Sequence, residues 1–270
     1  VVAGVVALML DANPNLTWRD VQHILVESSF KNDPTDDAWH TNAAGHDFNI
    51  KYGFGTVDAS AAVALAETWT NVDAEVTASQ FGPFDNDTIP DGLADWNVTD
   101  IPEFGEPTHT SLYFPENIKI ESVIARVHLD HPWRGDVMLK LTSPYGTTSY
   151  IYPTRKGDGI DFDGIMEPMS LEFWGEMSAG VWTLEAADGW EFGVGEIHGV
   201  TLKIAGTQAP PEDGWRVGDI EGFRYAAYEF ANNEQADTII LNNGLEYIFY
   251  DTMFGTNDDY ALPAVIADEE

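Results

Sequence analysis

Gly157-Asp158-Gly159-Ile160-Asp161-Phe162-Asp163-Gly164 places three carboxylates within six residues, between glycines that let a backbone fold around an ion. Hard oxygen ligands on a flexible loop are what Ca²⁺ takes, so Asp158, Asp161 and Asp163 are the candidate metal ligands and calcium the candidate cofactor. The competing reading is a solvated acidic loop, which a chain this acidic would have in any case. Asp85-Asn86-Asp87-Thr88, followed by Asp91-Gly92, alternates in a similar way but lacks the terminal Glu of an EF-hand.

Other reactive residue types carry less. Arg134-Gly135-Asp136 invites an adhesion reading, yet Gly135 suits a corner and Asp136 the start of a strand. The seven histidines, among them His40, His46, His109 and His131, show no HExxH spacing and read as loop and surface residues rather than zinc ligands. Trp133, Trp174, Trp182 and Trp190 could line a sugar-binding face. Packing is the better use for them, because Trp182 and Leu184 alternate on what should be an inward face. Neither a Gly-x-Ser-x-Gly elbow nor a glycine-rich phosphate loop occurs, so independent hydrolase or nucleotide chemistry has no local support.

The elements that would position these residues are strands. Val123, Ala125, Val127 and Leu129 alternate with Ile124, Arg126 and His128. After the Trp133-Arg134-Gly135 corner, Val137, Leu139 and Leu141 alternate with Met138 and Lys140. A period of two with one apolar face predicts half-buried strands. Ser143-Pro144-Tyr145-Gly146 is a turn signal, and Thr147 to Tyr152 can return antiparallel.

Composition limits the partners. In 270 residues, 46 Asp plus Glu face 12 Lys plus Arg, a formal charge of −34 that repels nucleic acid and anionic membranes. Such a surface favours cations and solubility in high salt. The chain has no cysteine, which leaves its compartment open. No apolar run reaches the roughly 18 residues of a membrane span. Opening at Val1, inside an apolar run and without Met, the chain is expected to be a truncated or processed fragment.

Val1 to Leu10 has no charged residue and is expected to be a helix buried all round in something larger. Thr17 and Asp20 stand at capping-box spacing before the apolar stripe of Val21, Ile24 and Leu25. Tyr52-Gly53-Phe54-Gly55-Thr56-Val57-Asp58-Ala59 leads into an Ala-rich helix ending near Trp69. Past a linker from Ala209 to Gly214, Asp237 to Leu241, Asn242-Asn243-Gly244 and Leu245 to Tyr250 read as a hairpin with an Asn-Gly turn.

Three ordered motifs then carry a resemblance. Val2-Ala3-Gly4, Asn13-Pro14-Asn15-Leu16-Thr17-Trp18-Arg19-Asp20-Val21-Gln22 and Tyr52-Gly53-Phe54-Gly55-x-Val57-Asp58-Ala59 are similar to the end of a kexin-type subtilisin-like protease domain. From roughly Val72 to Thr207 the chain resembles the P domain, or Homo B, that follows such catalytic domains. The matching residues are His131-Pro132-x-Arg134-Gly135-Asp136, Leu141-Thr142-Ser143-Pro144-x-Gly146-Thr147, Gly180-Val181-Trp182-Thr183-Leu184 and Gly199-x-x-Leu202-x-x-x-Gly206-Thr207. The long acidic segment Phe81 to Phe104 departs from that pattern.

The resemblance implies a mixed fold. Residues 1–72 would be the α-helical C-terminal remnant of an α/β subtilase domain and 73–207 an all-β jelly-roll sandwich; 208–270, which the resemblance does not reach, reads from its hairpin signal as a small acidic, β-rich extension or as the start of a larger repeat-bearing region. The resemblance also implies a secreted, extracellular or periplasmic, calcium-dependent serine endopeptidase as the parent, acting on peptide or protein substrates with a preference for basic residues before the cut. The chain's partner would be the catalytic domain of the same parent. The nucleophilic Ser of a Gly-Thr-Ser-x-x-x-Pro motif would precede Val1, with the Asp and His further upstream. A chain without the triad has no catalytic residue and should be inactive alone. A non-catalytic β-sandwich module that binds carbohydrate, a cell surface or a partner protein is the alternative class.

Overall fold

The computed structural model describes residues 1–82, 99–101, 107–189, 193, 195–212, 214–232, 238–241 and 264–267. Two compact units divide the chain, Val1–Glu75 and Val76–Glu270.

The first unit is helical. Helix α1 spans Val2–Ala12, α2 Trp18–Ser28 and α3 Ala59–Thr68, and a short antiparallel pair, β1 (Trp39–Thr41) and β2 (Asp47–Asn49), lies in the polar stretch before α3. Helix α2 begins at a complete capping box between Thr17 and Asp20. Asp58 caps α3 by accepting from the Ala61 N–H at 2.9 Å. Both caps coincide with the motifs read from sequence. So does Gly55, whose φ of +112° and contact with the Phe30 carbonyl exclude a side chain, because a Cβ there would lie 2.2 Å from that oxygen. Val5, Met9, Leu16, Ile24, Ala62 and Ala66 make the core. Helix α1 differs from expectation: only Val5 and Met9 are buried, while Val2, Leu8 and Leu10 stand exposed. Its partner in this unit is α3, and one partner covers one stripe of a helix.

The second unit is built on strands β3 (Glu75–Phe81), β4 (Thr99–Ile101), β5 (Thr108–Phe114), β6 (Ile118–His131), β7 (Val137–Thr142), β8 (Thr148–Tyr152), β9 (Phe162–Met166), β10 (Met169–Ser170), β11 (Gly180–Asp188) and β12 (Gly195–Gln208). One sheet runs β10-β6-β12-β3, with β9 also paired to β6 and β4 to β12. In the other, β11 is flanked by β5 and β7, and β8 pairs with β7. Their inner faces meet in one core of Val123, Val127, Leu129, Leu139, Leu141, Trp182, Leu184, Val200 and Leu202, among others. This is a sandwich of two sheets, with the inward residues of β6 and β7 at the alternating positions read from sequence.

The segment after Gln208 is not an isolated β module. Strand β13 (Trp215–Val217), helix α4 (Ile220–Asn232), β14 (Thr238–Leu241) and β15 (Ala264–Ala267) follow in order. Strands β13, β14 and β15 pair in parallel, and β13 pairs in parallel with β11 at Val181–Val217. Parallel neighbours need a crossover, which α4 supplies between β13 and β14. Helix α4 also packs on β5 and β11. Val181, Val217, Phe223, Ala226, Ala227 and Ile239 form a second core there. Tyr113 stacks on Trp215 at 3.8 Å. The expected Asn-Gly turn and the strand after it, residues 242–250, lie outside the described residues.

Candidate functional site

Of the residues singled out for chemistry, His131, Arg134, Asp136 and Asp158 meet at the corner between β6 and β7. His131, fully buried, sits with Nε2 3.1 Å from Asp188 Oδ2 and Nδ1 2.8 Å from the Trp133 carbonyl. A histidine read as a surface residue is therefore a buried pin joining β6 to the end of β11. Asp136, beside this pair, has its carboxyl pushed above the ordinary carboxylate range by burial and then by the charge of Asp188.

Arg134 donates through Nε to both carboxylate oxygens of Asp158 at 3.0 Å, and Arg155 Nη2 lies 3.3 Å from the same group. The guanidinium of Arg134 holds the Asp158 carboxyl below its usual range. Backbone bonds tie the loop to the corner: Arg134 N–H to Ile160 O, Gly135 N–H to Asp158 O, and Arg155 N–H to Gly135 O. A Cβ on Gly135 would lie 2.5 Å from the Arg155 carbonyl and 2.6 Å from that of Asp158. The Arg-Gly-Asp string is thus a corner whose arginine is committed internally.

The three aspartates proposed for calcium occupy different settings. Asp158 is engaged by two guanidiniums, Asp161 is exposed in the loop, and Asp163 lies on β9 with its carboxylate 3.9 Å from His128 Nε2. The structure does not bring them together as a group. The acidic segment from Asp85 to Gly92 lies outside the described residues, as does Trp190. Of the other tryptophans considered for a sugar face, Trp174 and Trp182 are buried and Trp133 is half-exposed. His46 lies 3.8 Å from Glu27, and His109 3.7 Å from Glu185.

A second polar anchor went unread in the sequence. Glu176 is buried and accepts hydrogen bonds from Ser143 Oγ at 2.7 Å and from Thr147 Oγ1. Those hydroxyls belong to the Ser143-Pro144-Tyr145-Gly146-Thr147 turn, so Glu176 holds the β7–β8 connection from 29 residues away. Gly180 and Gly218 then admit β13 beside that turn. A Cβ on Gly218 would lie 2.0 Å from the Ser143 carbonyl, and one on Gly180 2.6 Å from both the Arg216 carbonyl and Pro144.

Among the described residues, the side chains that could jointly hold an ion are Asp130, Glu196 and His198, on adjacent strands of the first sheet. Their signal in the sequence is short: His128-x-Asp130 and Glu196-x-His198, a spacing of two that puts both members on one face of a strand. Without the pairing of β6 to β12 nothing links the two dipeptides.

Residues 120–204 match the family model described as the proprotein convertase P-domain. The chain is 38% identical over 188 residues to PC3-like endoprotease variant B of Hydra vulgaris, covering 69% of this chain and 26% of that protein. It is 35% identical over 218 residues to furin of Rattus norvegicus, covering 78% of this chain and 26% of that one. The chain thus spans about a quarter of the length of these relatives. The solved Aeromonas sobria serine protease, in complex with its ORF2 chaperone, superimposes with a TM-score of 0.66 at 23% identity, over 77% of this chain and 43% of that chain. At that identity the likeness is one of fold.

Proposed function

Because the chain carries the P domain of a kexin-like proprotein convertase, we infer that it is the C-terminal part of a secreted subtilisin/kexin-like serine endopeptidase in which it stabilises the catalytic domain. The observation that carries this reading is α1. Its sequence has no charge before Asp11, yet Val2, Ala3, Gly4, Ala7, Leu8 and Leu10 face outward. Gly4 has nothing within 4 Å of where its Cβ would stand, although a mid-helix glycine costs roughly 0.5–1 kcal/mol relative to alanine. An apolar face lined with small residues suits close cover by further protein, here the remainder of the protease fold.

In that parent, hydrolysis proceeds by attack of a serine hydroxyl on the scissile carbonyl, with an acyl-enzyme intermediate. The residues of this chain do not touch the reacting atoms. They are expected to supply the helix that follows the nucleophile and the P domain that stabilises the catalytic domain. The alternative of a carbohydrate-binding sandwich loses its main support with Trp174 and Trp182 buried. No helix among the described residues is long and apolar enough to cross a membrane.

The parent protein is expected to cleave peptides after paired basic residues. Removing residues 76–207 from it should abolish soluble, active enzyme. A parent gene without a Gly-Thr-Ser codon run a few residues before Val1 would end this reading.

Calcium at Asp158, Asp161 and Asp163 is likewise a proposal. The carboxylate density of the loop supports it, and the guanidiniums on Asp158 oppose it. If the loop holds calcium, adding calcium to the stripped chain raises its melting temperature and Asp161→Ala removes the rise. A transition unmoved by calcium would retire the idea.

A further inference from the structure

The outward face of the first sheet near the end of β6 carries a constellation that the protease reading does not use. In the register of the sheet, Asp130 on β6 stands opposite Asp163 on β9 and opposite Glu196 on β12. Three carboxylates thus form one row across three strands. Two residues back along β6, His128 joins them, and two residues on along β12, so does His198.

The distances are short. His198 Nε2 lies 2.8 Å from Asp130 Oδ2, and His128 Nε2 lies 3.9 Å from Asp163 Oδ1. The two imidazole centroids are 4.9 Å apart. One ligand atom from each of Asp130, Glu196 and His198 falls within 4.8 Å of the other two. Donors sharing an ion at about 2.0–2.2 Å stand at most about 4.4 Å apart, so small rotations of these surface side chains bring all three onto one ion.

Like charges directly opposite one another across strands are destabilising. Among the described residues no Lys or Arg forms an ion pair with Asp130, Asp163 or Glu196, and the groups at the ion-pair distances of Asp130 and Asp163 are the two histidines. The backbone beneath is fixed, since Val127, Leu129 and Ile197, which point the other way, are buried in the core. A register shift in β12 between Ile197 and Gly199 falls at His198. The row is therefore a rigid, net-negative set of mixed nitrogen and oxygen donors at an irregular point of the ladder.

We propose that Asp130, Glu196 and His198, with His128 and Asp163 beside them, bind a divalent transition-metal ion of the zinc type that clips β12 to β6. Imidazole nitrogen favours such ions over calcium or magnesium, which take oxygen ligands. The site is open to solvent, so its ion exchanges freely and its effect is a local pinning of the two longest strands. It shares only Asp163 with the calcium proposal and does not depend on it.

The test is calorimetric titration of the full chain, stripped of metal, with zinc chloride, accompanied by thermal melts. The expected result is one zinc ion per chain, a higher melting temperature with zinc, and at least a tenfold loss of affinity in His198→Ala and in Asp130→Asn. Asp161→Ala should bind zinc as the parent chain does. His198 is partly exposed, so its variant should melt like the parent chain without metal, and that comparison separates lost binding from lost folding. Absence of zinc binding at 0.1 mM, or zinc affinity unchanged in His198→Ala, would each overturn the assignment.

Discussion

Trp182→Ala is expected to destabilise the sandwich by about 3–5 kcal/mol. The indole, near the start of β11, is fully buried, meets Phe173 edge to face at 5.0 Å, and donates from Nε1 to the Ser178 carbonyl at 2.9 Å. Truncation leaves a cavity between two sheets whose backbones are fixed by their ladders, so collapse cannot fill it. The Ser178 carbonyl also loses its donor. Trp182→Phe keeps most of the volume and should lose markedly less. Urea denaturation followed by circular dichroism measures both, and a loss under 1 kcal/mol for Trp182→Ala would show that this ring is not central.

The second large effect belongs to Asp20 in the first unit. Its buried carboxylate accepts from Thr17 N–H at 2.7 Å and Thr17 Oγ1 at 2.6 Å through one oxygen, and from Trp69 Nε1 at 3.0 Å and Val72 N–H at 2.8 Å through the other. Asp20 thus joins the start of α2 to the chain leaving α3. Asp20→Ala strands these donors, each costing roughly 1–3 kcal/mol where buried, and an overall loss of about 3–5 kcal/mol is expected. Burial works against ionisation here, but the hydrogen bonds from Thr17, Val72 and Trp69 outweigh it and hold the carboxyl below its ordinary range. With the folded pKa depressed, the stabilisation is present above the unfolded pKa and is lost as pH falls through the folded one. The gap between parent and Asp20→Ala in denaturant midpoint should therefore be full at neutral pH and narrow on acidification. A gap constant down to strong acid would mean that the charge of Asp20 contributes nothing.

Local signals held wherever one element decided the outcome. Thr17 to Asp20 and Asp58 to Ala61 are caps made within four residues, and the sequence shows both partners. The alternation of Val123 to Leu129 and Val137 to Leu141 needed only a strand period. Helix α4 has no local signal comparable to a cap, because Phe223, Ala226 and Ala227 find their apolar partner on the outer side of β11. That contact explains why β11 is buried on both faces, where Trp182 and Leu184 alone predicted one.

Partners far apart in the chain were invisible for the same reason. Glu176 reaches Thr147, His131 reaches Asp188 57 residues on, and Asp130 meets His198 across 68. The period of the strands determined by itself the alternating, half-buried strands of β6 and β7, and the order of motifs carried the resemblance to a P domain, because those features depend on neighbours a few residues apart. Which carboxylates are spent on arginines, that His131 is buried, and where nitrogen and oxygen donors gather were decided by the pairing of β6 with β9 and β12 and by the side-chain contact of the end of β6 with Asp188 on β11. Side-chain chemistry acts over a few ångströms of space, and only the folded ladder converts sequence separation into that distance.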